Sequence, residues 1–121
     1  MALALAVATL VVAPAHHDCN TQSCVERVAA RWCTQTRVVS CIHRAALRWD
    51  VSYPMLRRKA WCESRLDPYA TNGTHVGVFQ FLWSTWATTP YAHRSPWRAK
   101  WNALAAAWMH ARGRGNEWSC Q

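Results

Sequence analysis

The residues best suited to chemistry lie in one stretch of the chain, from Trp61 to Trp86. It holds Glu63 at the end of a predicted helix and, after a loop, Gln80 in a turn that begins at Gly77. A carboxyl group on a partly apolar wall can donate a proton, and an amide can orient that group or a bound sugar. The neighbouring tryptophans offer flat faces for sugar rings. Together these residue types are suited to protonating a glycosidic oxygen.

The position of Glu63 on its helix supports this interpretation. At about 100° per residue, Glu63 falls in line with Leu56 and Ala60 and extends a stripe that faces the core. A carboxyl group held partly away from water is easier to protonate, which glycosidic general acids need. The alternative is a structural one, in which Glu63 ends the helix and pairs with Arg65 or Arg31.

The elements that must position these residues are mostly helices. Apolar spacing predicts helices at about 24–32, 38–49, 52–64 and 97–110, a helical turn at 84–86, and one short hairpin at most, near 78–81. In the last helix a stripe of Trp97, Trp101, Leu104 and Trp108 is expected in the core, with Asn102 beside it at the edge of a cleft. Start and stop residues support these bounds: Ser23 with Glu26, Ser52 with Pro54, Pro68, Ser95 with Pro96, and Gly113.

Length and composition indicate one folded domain with an anionic partner. The chain has 121 residues, of which 51% are hydrophobic and 17% charged, and its nine tryptophans can fill a small core. The net charge of +8 suits an anionic cell envelope, because charge steers encounter with such surfaces. No nucleic-acid motif is present, so nucleic acid is not a predicted partner. The alternative is that the cations only solubilise exposed faces.

The first 15 residues have the pattern of a signal peptide. Their apolar run is too short to span a bilayer, and Ala13-Pro14-Ala15 has the small–x–small form of a cleavage site. We therefore predict a secreted or cell-wall-associated protein without a membrane span. A short buried helix is the alternative, and the absence of Lys or Arg before the apolar run departs from the usual signal.

The six cysteines predict a disulfide framework. An even number of cysteines in a small exported chain is typical of such a framework, which stabilises a core of this size. Their spacing leaves the pairing open. The rival interpretation is a metal site, but the chain has no C-x-x-C pair and its histidines are scattered. We predict neither a metal nor another cofactor.

Five short motifs occur in an order that resembles a known family. They are ES at 63–64, DPYA at 67–70, GVFQF at 77–81, STW at 84–86 and NALAA at 102–106. The chain resembles soluble-type lytic transglycosylases of the lysozyme-like superfamily, including small actinobacterial domains related to resuscitation-promoting factors. The resemblance covers residues 47–121. Residues 16–46 form a Cys-rich helical extension without a clear counterpart.

The resemblance implies a small lysozyme-like helical domain that cleaves peptidoglycan. Glu63 would be the catalytic acid and base, protonating the β-1,4 bond between N-acetylmuramic acid and N-acetylglucosamine. In transglycosylases the muramic C6 hydroxyl then attacks and gives a 1,6-anhydro product. Hydrolysis by water, as in a muramidase, stays open, partly because Arg65 stands where the family often has glycine.

The resemblance also assigns residues to the sugar groove and to one disulfide bond. A bridge between Cys62 and Cys120 would join the chain end to the catalytic helix. The substrate would be a glycan strand of peptidoglycan, bound by a monomer. The implied substrate-binding residues are Gln80, Phe79, Thr85, Trp86, Tyr91 and Asn102.

Two other classes of function fit parts of the sequence. The charge, tryptophans and cysteines would also suit a cationic, disulfide-stapled protein that disturbs membranes, although no predicted helix is basic on one face and apolar on the other. A wall-binding module without activity is the third class. Replacement of Glu63 would lower the rate of an enzyme but leave membrane disruption or wall binding unchanged, so it separates the enzyme from the other two classes.

Overall fold

The computed structural model describes Ala4 and residues 22–120. For residues 22, 23, 25 and 26 it describes the helical backbone alone. Apart from Ala4, the predicted signal peptide therefore lies outside the described residues, and so do the side chains of the predicted capping box of Ser23 with Glu26.

The described chain is mainly α-helical with one short hairpin, as the sequence predicts. The helices are α1 (Gln22–Ala30), α2 (Val38–Trp49), α3 (Tyr53–Ser64), α4 (Trp83–Trp86) and α5 (Ala99–Ala111), and a 3-10 turn follows at Gly115–Glu117. Strands β1 (His75–Val76) and β2 (Phe81–Leu82) pair antiparallel, with His75 opposite Leu82 and Val76 opposite Phe81.

Helix α5 is the centre of the domain. It is buried from Asn102 to Met109, and its alanines let α2 pack closely against it through Ile42 and Ala45. The helix begins at Ala99, two residues later than predicted, since residues 95–98 form a separate turn and Arg98 is extended. The predicted core stripe is confirmed at Leu104 and Trp108, whereas Trp97 and Trp101 are half-buried.

Helix α3 presents Glu63 at its last turn. Ser52 caps the helix, accepting a hydrogen bond from the Met55 N–H at 3.3 Å, as predicted. Leu56 and Ala60 are fully buried, and Glu63 continues their stripe to the edge of the core. The helix ends where Arg65 adopts a left-handed conformation with φ 57°.

Disulfide bonds join the ends of these elements. The bridge Cys62–Cys120, which the resemblance implies, is present and spans 58 residues. A second bridge, Cys33–Cys41, closes the turn between α1 and α2, and Cys24 is also disulfide-bonded. None of the described helices combines the length and the hydrophobicity that a membrane-spanning helix needs.

Candidate active site

Glu63 faces a cavity of about 380 Å³. We call it the Glu63 cavity. Its walls come from the end of α3, from the hairpin and α4, from α5, and from the end of the 3-10 turn and the residues after it. The lining residues are Glu63, His75, Gln80, Phe81, Leu82, Thr85, Met109, Glu117, Trp118 and Ser119. Three of the residues predicted for the site, Glu63, Gln80 and Thr85, are therefore brought together.

The Glu63 carboxylate is half-buried and accepts a hydrogen bond from the Cys120 N–H at 3.3 Å. It is not paired with Arg65 or Arg31: among the side chains that the structure describes, the one ion pair joins Arg114 and Glu117. The Arg65 guanidinium lies instead over the Trp61 ring, 5.0 Å from its centroid. The carboxylate therefore lines the cavity without a cation bonded to it.

Gln80 is fixed by its own turn. Its Nε2 donates to the carbonyl oxygens of Ala70 and Gly77, both at 2.9 Å. Its backbone is left-handed, with φ 49°. Ser64 Oγ donates to the Val78 carbonyl at 2.7 Å, which ties this turn to the residue after Glu63. These hydrogen bonds join the Gln80 turn to the loop before it and to the residue after Glu63.

Asn102 lies beneath that turn and not at the edge of a cleft, which corrects the prediction from spacing. Its exposed fraction is 0%. Oδ1 accepts from the Phe79 N–H at 2.8 Å, while Nδ2 donates to the carbonyls of Pro96 at 2.8 Å and Val76 at 3.3 Å. Gly77 leaves the space for this side chain, because a Cβ there would lie 2.3 Å from Asn102 Nδ2. Asn102 thus supports the turn that carries Gln80.

Three further residues with predicted substrate contacts also lie away from the cavity lining. Phe79 is fully buried in the core. Trp86 is buried against Phe81, with ring centroids 5.2 Å apart, and its Nε1 donates to the Arg94 carbonyl. The Tyr91 hydroxyl accepts a hydrogen bond from Trp49 Nε1 at 2.9 Å. These positions suit packing roles.

The wall formed by Glu117, Trp118 and Ser119 was not predicted from the sequence. The implied bridge to Cys120 was the one available signal, because it brings the preceding residues next to Glu63. Glu117 accepts two hydrogen bonds from Arg114, and these lower the pKa of the Glu117 carboxyl. A second carboxylate that stays ionised therefore lies in the cavity.

Comparison with known proteins finds no match among protein-family models, curated proteins or solved structures. The assignment of the site therefore depends on its geometry and on the sequence motifs.

Proposed function

We propose that this protein is an exported enzyme that cleaves the glycan strands of peptidoglycan, with Glu63 as acid and base. The observation that carries the proposal is the juxtaposition of a half-buried, unpaired Glu63 with Gln80 and Thr85 in one cavity. A carboxyl at the edge of the core with an anchored amide nearby is suited to general acid catalysis.

The surroundings of the cavity suit a sugar polymer. Leu82 lines it, and the adjacent Trp83 has an exposed fraction of 52%, so an aromatic face is available for stacking on a sugar ring. The net charge of +8 favours approach to an anionic envelope. The disulfide bonds suit an oxidising location outside the cytosol.

In the proposed reaction, Glu63 donates its proton to the oxygen between N-acetylmuramic acid and N-acetylglucosamine. The bond from that oxygen to the muramic C1 breaks, and the leaving sugar departs with a hydroxyl group. The Glu63 carboxylate then removes the proton from the muramic C6 hydroxyl, whose oxygen forms the new bond to C1. The product is a 1,6-anhydro sugar, and attack by water would give the hydrolysed product instead.

The decisive experiment is digestion of purified peptidoglycan followed by mass analysis of the released sugars. We expect soluble fragments from the parent protein and a loss of about 10²–10⁴-fold in rate for Glu63→Gln, the usual contribution of a general acid. Anhydro products are lighter than hydrolysed ones by one water, so the same masses identify the attacking group. Release of fragments by Glu63→Gln at the parent rate would exclude the proposed mechanism.

A matched control is Asp50→Asn. Asp50 is exposed at the end of α2, away from the cavity lining, and its left-handed backbone, with φ 51°, is one that asparagine adopts readily. This variant makes the same chemical change as Glu63→Gln and should keep the parent rate. Leakage of vesicles by both variants, without sugar release, would indicate the membrane-active class, and binding to wall material alone would indicate the inactive module.

A further inference from the structure

A buried lysine lies one helical turn before Glu63. The exposed fraction of Lys59 is 3%. Its Nζ donates to the Gly115 carbonyl at 2.8 Å and lies 2.9 Å from His110 Nε2. A buried ammonium group is costly unless it has such partners, so the Lys59 contacts restrain the chain segments that supply them.

The tautomer of His110 is set by its other nitrogen. Nδ1 lies 2.8 Å from the Ala106 carbonyl, which can only accept a hydrogen bond, so Nδ1 carries the proton. In the neutral ring Nε2 then holds a lone pair and accepts a hydrogen bond from Lys59. Protonation of His110 would place a proton on Nε2 and remove that acceptor.

Both residues hold the last part of the chain, residues 115–120, which we call the C-terminal strap. Gly115 passes so close to His110 that a Cβ would lie 2.6 Å from the ring. Trp118 stacks on His110 with centroids 5.0 Å apart, and its Nε1 donates to the Phe79 carbonyl at 2.6 Å. The strap forms one wall of the Glu63 cavity, and its Cys120 N–H donates to Glu63.

We propose that Lys59 and neutral His110 are positioning residues that hold the C-terminal strap against Glu63, and that protonation of His110 loosens the strap. This inference rests on the proposed function, because one of its two tests measures the turnover of peptidoglycan. Loss of the acceptor would leave two adjacent cations in a buried place, and the Gly115 contact would weaken with them. The Cys62–Cys120 bridge and the hydrogen bond from Trp118 to the Phe79 carbonyl would still tether the strap, but its wall of the cavity and the Cys120 donor would move more freely.

The pH at which His110 is protonated and the strap loosens depends on the surroundings of His110. Burial lowers its pKa, the hydrogen bond to Ala106 opposes that effect, and the Lys59 charge lowers the pKa further. Burial also lowers the pKa of Lys59, while the Glu63 charge raises it. Within the strap, Glu117 forms an ion pair with Arg114, and the two charges neutralise each other. The pKa of His110 therefore lies below its ordinary value of 6.5, and the ring gains its proton as the pH falls through that lowered pKa.

The first experiment compares the pH dependence of turnover for the parent and for His110→Gln. A glutamine side-chain oxygen can accept from Lys59 and does not titrate. We expect parent turnover to fall about tenfold per pH unit once His110 is protonated, with this limb absent in His110→Gln. Near neutral pH the two should agree within about twofold. If the pH profiles of the parent and His110→Gln superimpose, the role of His110 is overturned. The Glu63→Gln variant tests the proposed reaction independently of this result.

The second experiment uses Lys59→Met and does not depend on activity. An apolar side chain of similar length replaces the buried charge, which proteins often tolerate. We expect amide exchange at Cys120 and indole exchange at Trp118 to accelerate about tenfold or more, while the buried amides of α5 stay protected. Unchanged protection of Cys120 and Trp118 would overturn the role of Lys59. If Lys59→Met does not fold, exchange at Cys120 and Trp118 is compared between the parent and His110→Gln across the acid range. Loss of protection in acid in the parent alone would support the proposal, and equal behaviour of the two proteins would overturn it.

Discussion

The Cys120 N–H donates a hydrogen bond to Glu63 Oε1 at 3.3 Å, across 57 residues of sequence. Cys62, the residue before Glu63, is bonded covalently to Cys120. A disulfide bond and a hydrogen bond therefore run side by side between the same two chain segments. Residues 117–120 are part of the candidate site, because they supply both a wall of the cavity and a donor to the carboxylate.

The Cys62–Cys120 bridge is expected to stabilise the fold more than Cys33–Cys41. The bridges span 58 and 8 residues. Constraint of the unfolded chain grows with loop length and predicts losses of about 4 and about 2.5 kcal/mol for Cys62→Ala/Cys120→Ala and Cys33→Ala/Cys41→Ala, respectively. Urea unfolding of both double variants measures the difference. Equal losses would show that native packing, and not loop closure, dominates.

Gln80→Ala is expected to lower activity far more than it lowers stability. The half-buried amide donates two hydrogen bonds to loop carbonyls, so its removal costs about 1–2 kcal/mol in all and leaves the apolar core in place. A group that orients an acid or a sugar contributes about 10–100-fold to kcat/KM. Kinetics on peptidoglycan, with the unfolding midpoint as the control, measure the effect. If the variant keeps the full kcat/KM of the parent, Gln80 has no role in catalysis or substrate binding.

The sequence predicted those parts of the fold that depend on local pattern. Both ends of α2 match the predicted 38–49, and Ser52 caps α3 as its position before Pro54 indicates. Glu63 at the edge of a core stripe followed from helical spacing alone. These features depend on residues within one or two turns, which is why they can be derived without the fold.

Asn102 shows where this reasoning fails. Its angle on the helix placed it beside a stripe of tryptophans, but α5 is covered on nearly every side. Angular position then cannot distinguish a cleft from the core. The C-terminal strap was missed for a related reason: its 3-10 turn spans three residues and is held by Lys59 and His110, whose proximity only the fold creates.

Asn102→Ala is expected to destabilise the domain by about 2–4 kcal/mol, because buried backbone groups lose their hydrogen bonds. The Phe79 N–H and the Pro96 and Val76 carbonyls would all lose their Asn102 partner. Thermal or urea unfolding measures the loss, and Ser95→Ala on the exposed turn before α5 is a control with a small expected effect. A loss below about 1 kcal/mol would show that water replaces the side chain.

Glu117→Gln separates a mechanism with one carboxylate from a mechanism with two. Glu117 lines the same cavity as Glu63, but Arg114 holds it through two hydrogen bonds. If Glu63 alone serves as acid and base, Glu117→Gln should keep the rate within about fivefold, far from the loss of about 10²–10⁴-fold expected for Glu63→Gln. A loss comparable to that of Glu63→Gln, with hydrolysed products, would make Glu117 a second catalytic group.

The stability of the Glu117→Gln variant follows from the sign of the pKa shift. The Glu117 pKa lies below its ordinary value of 4.5 in the folded protein, mainly through the hydrogen bonds from Arg114. The ion pair therefore stabilises the fold above that pH, and its contribution is lost as the pH falls through the lowered value. Since both side chains are partly exposed, we expect a contribution under about 1 kcal/mol that high salt screens. Unfolding at neutral and strongly acidic pH should thus show the parent and Glu117→Gln converging in acid, and a difference that persists there would mean that Glu117 acts through packing instead of charge.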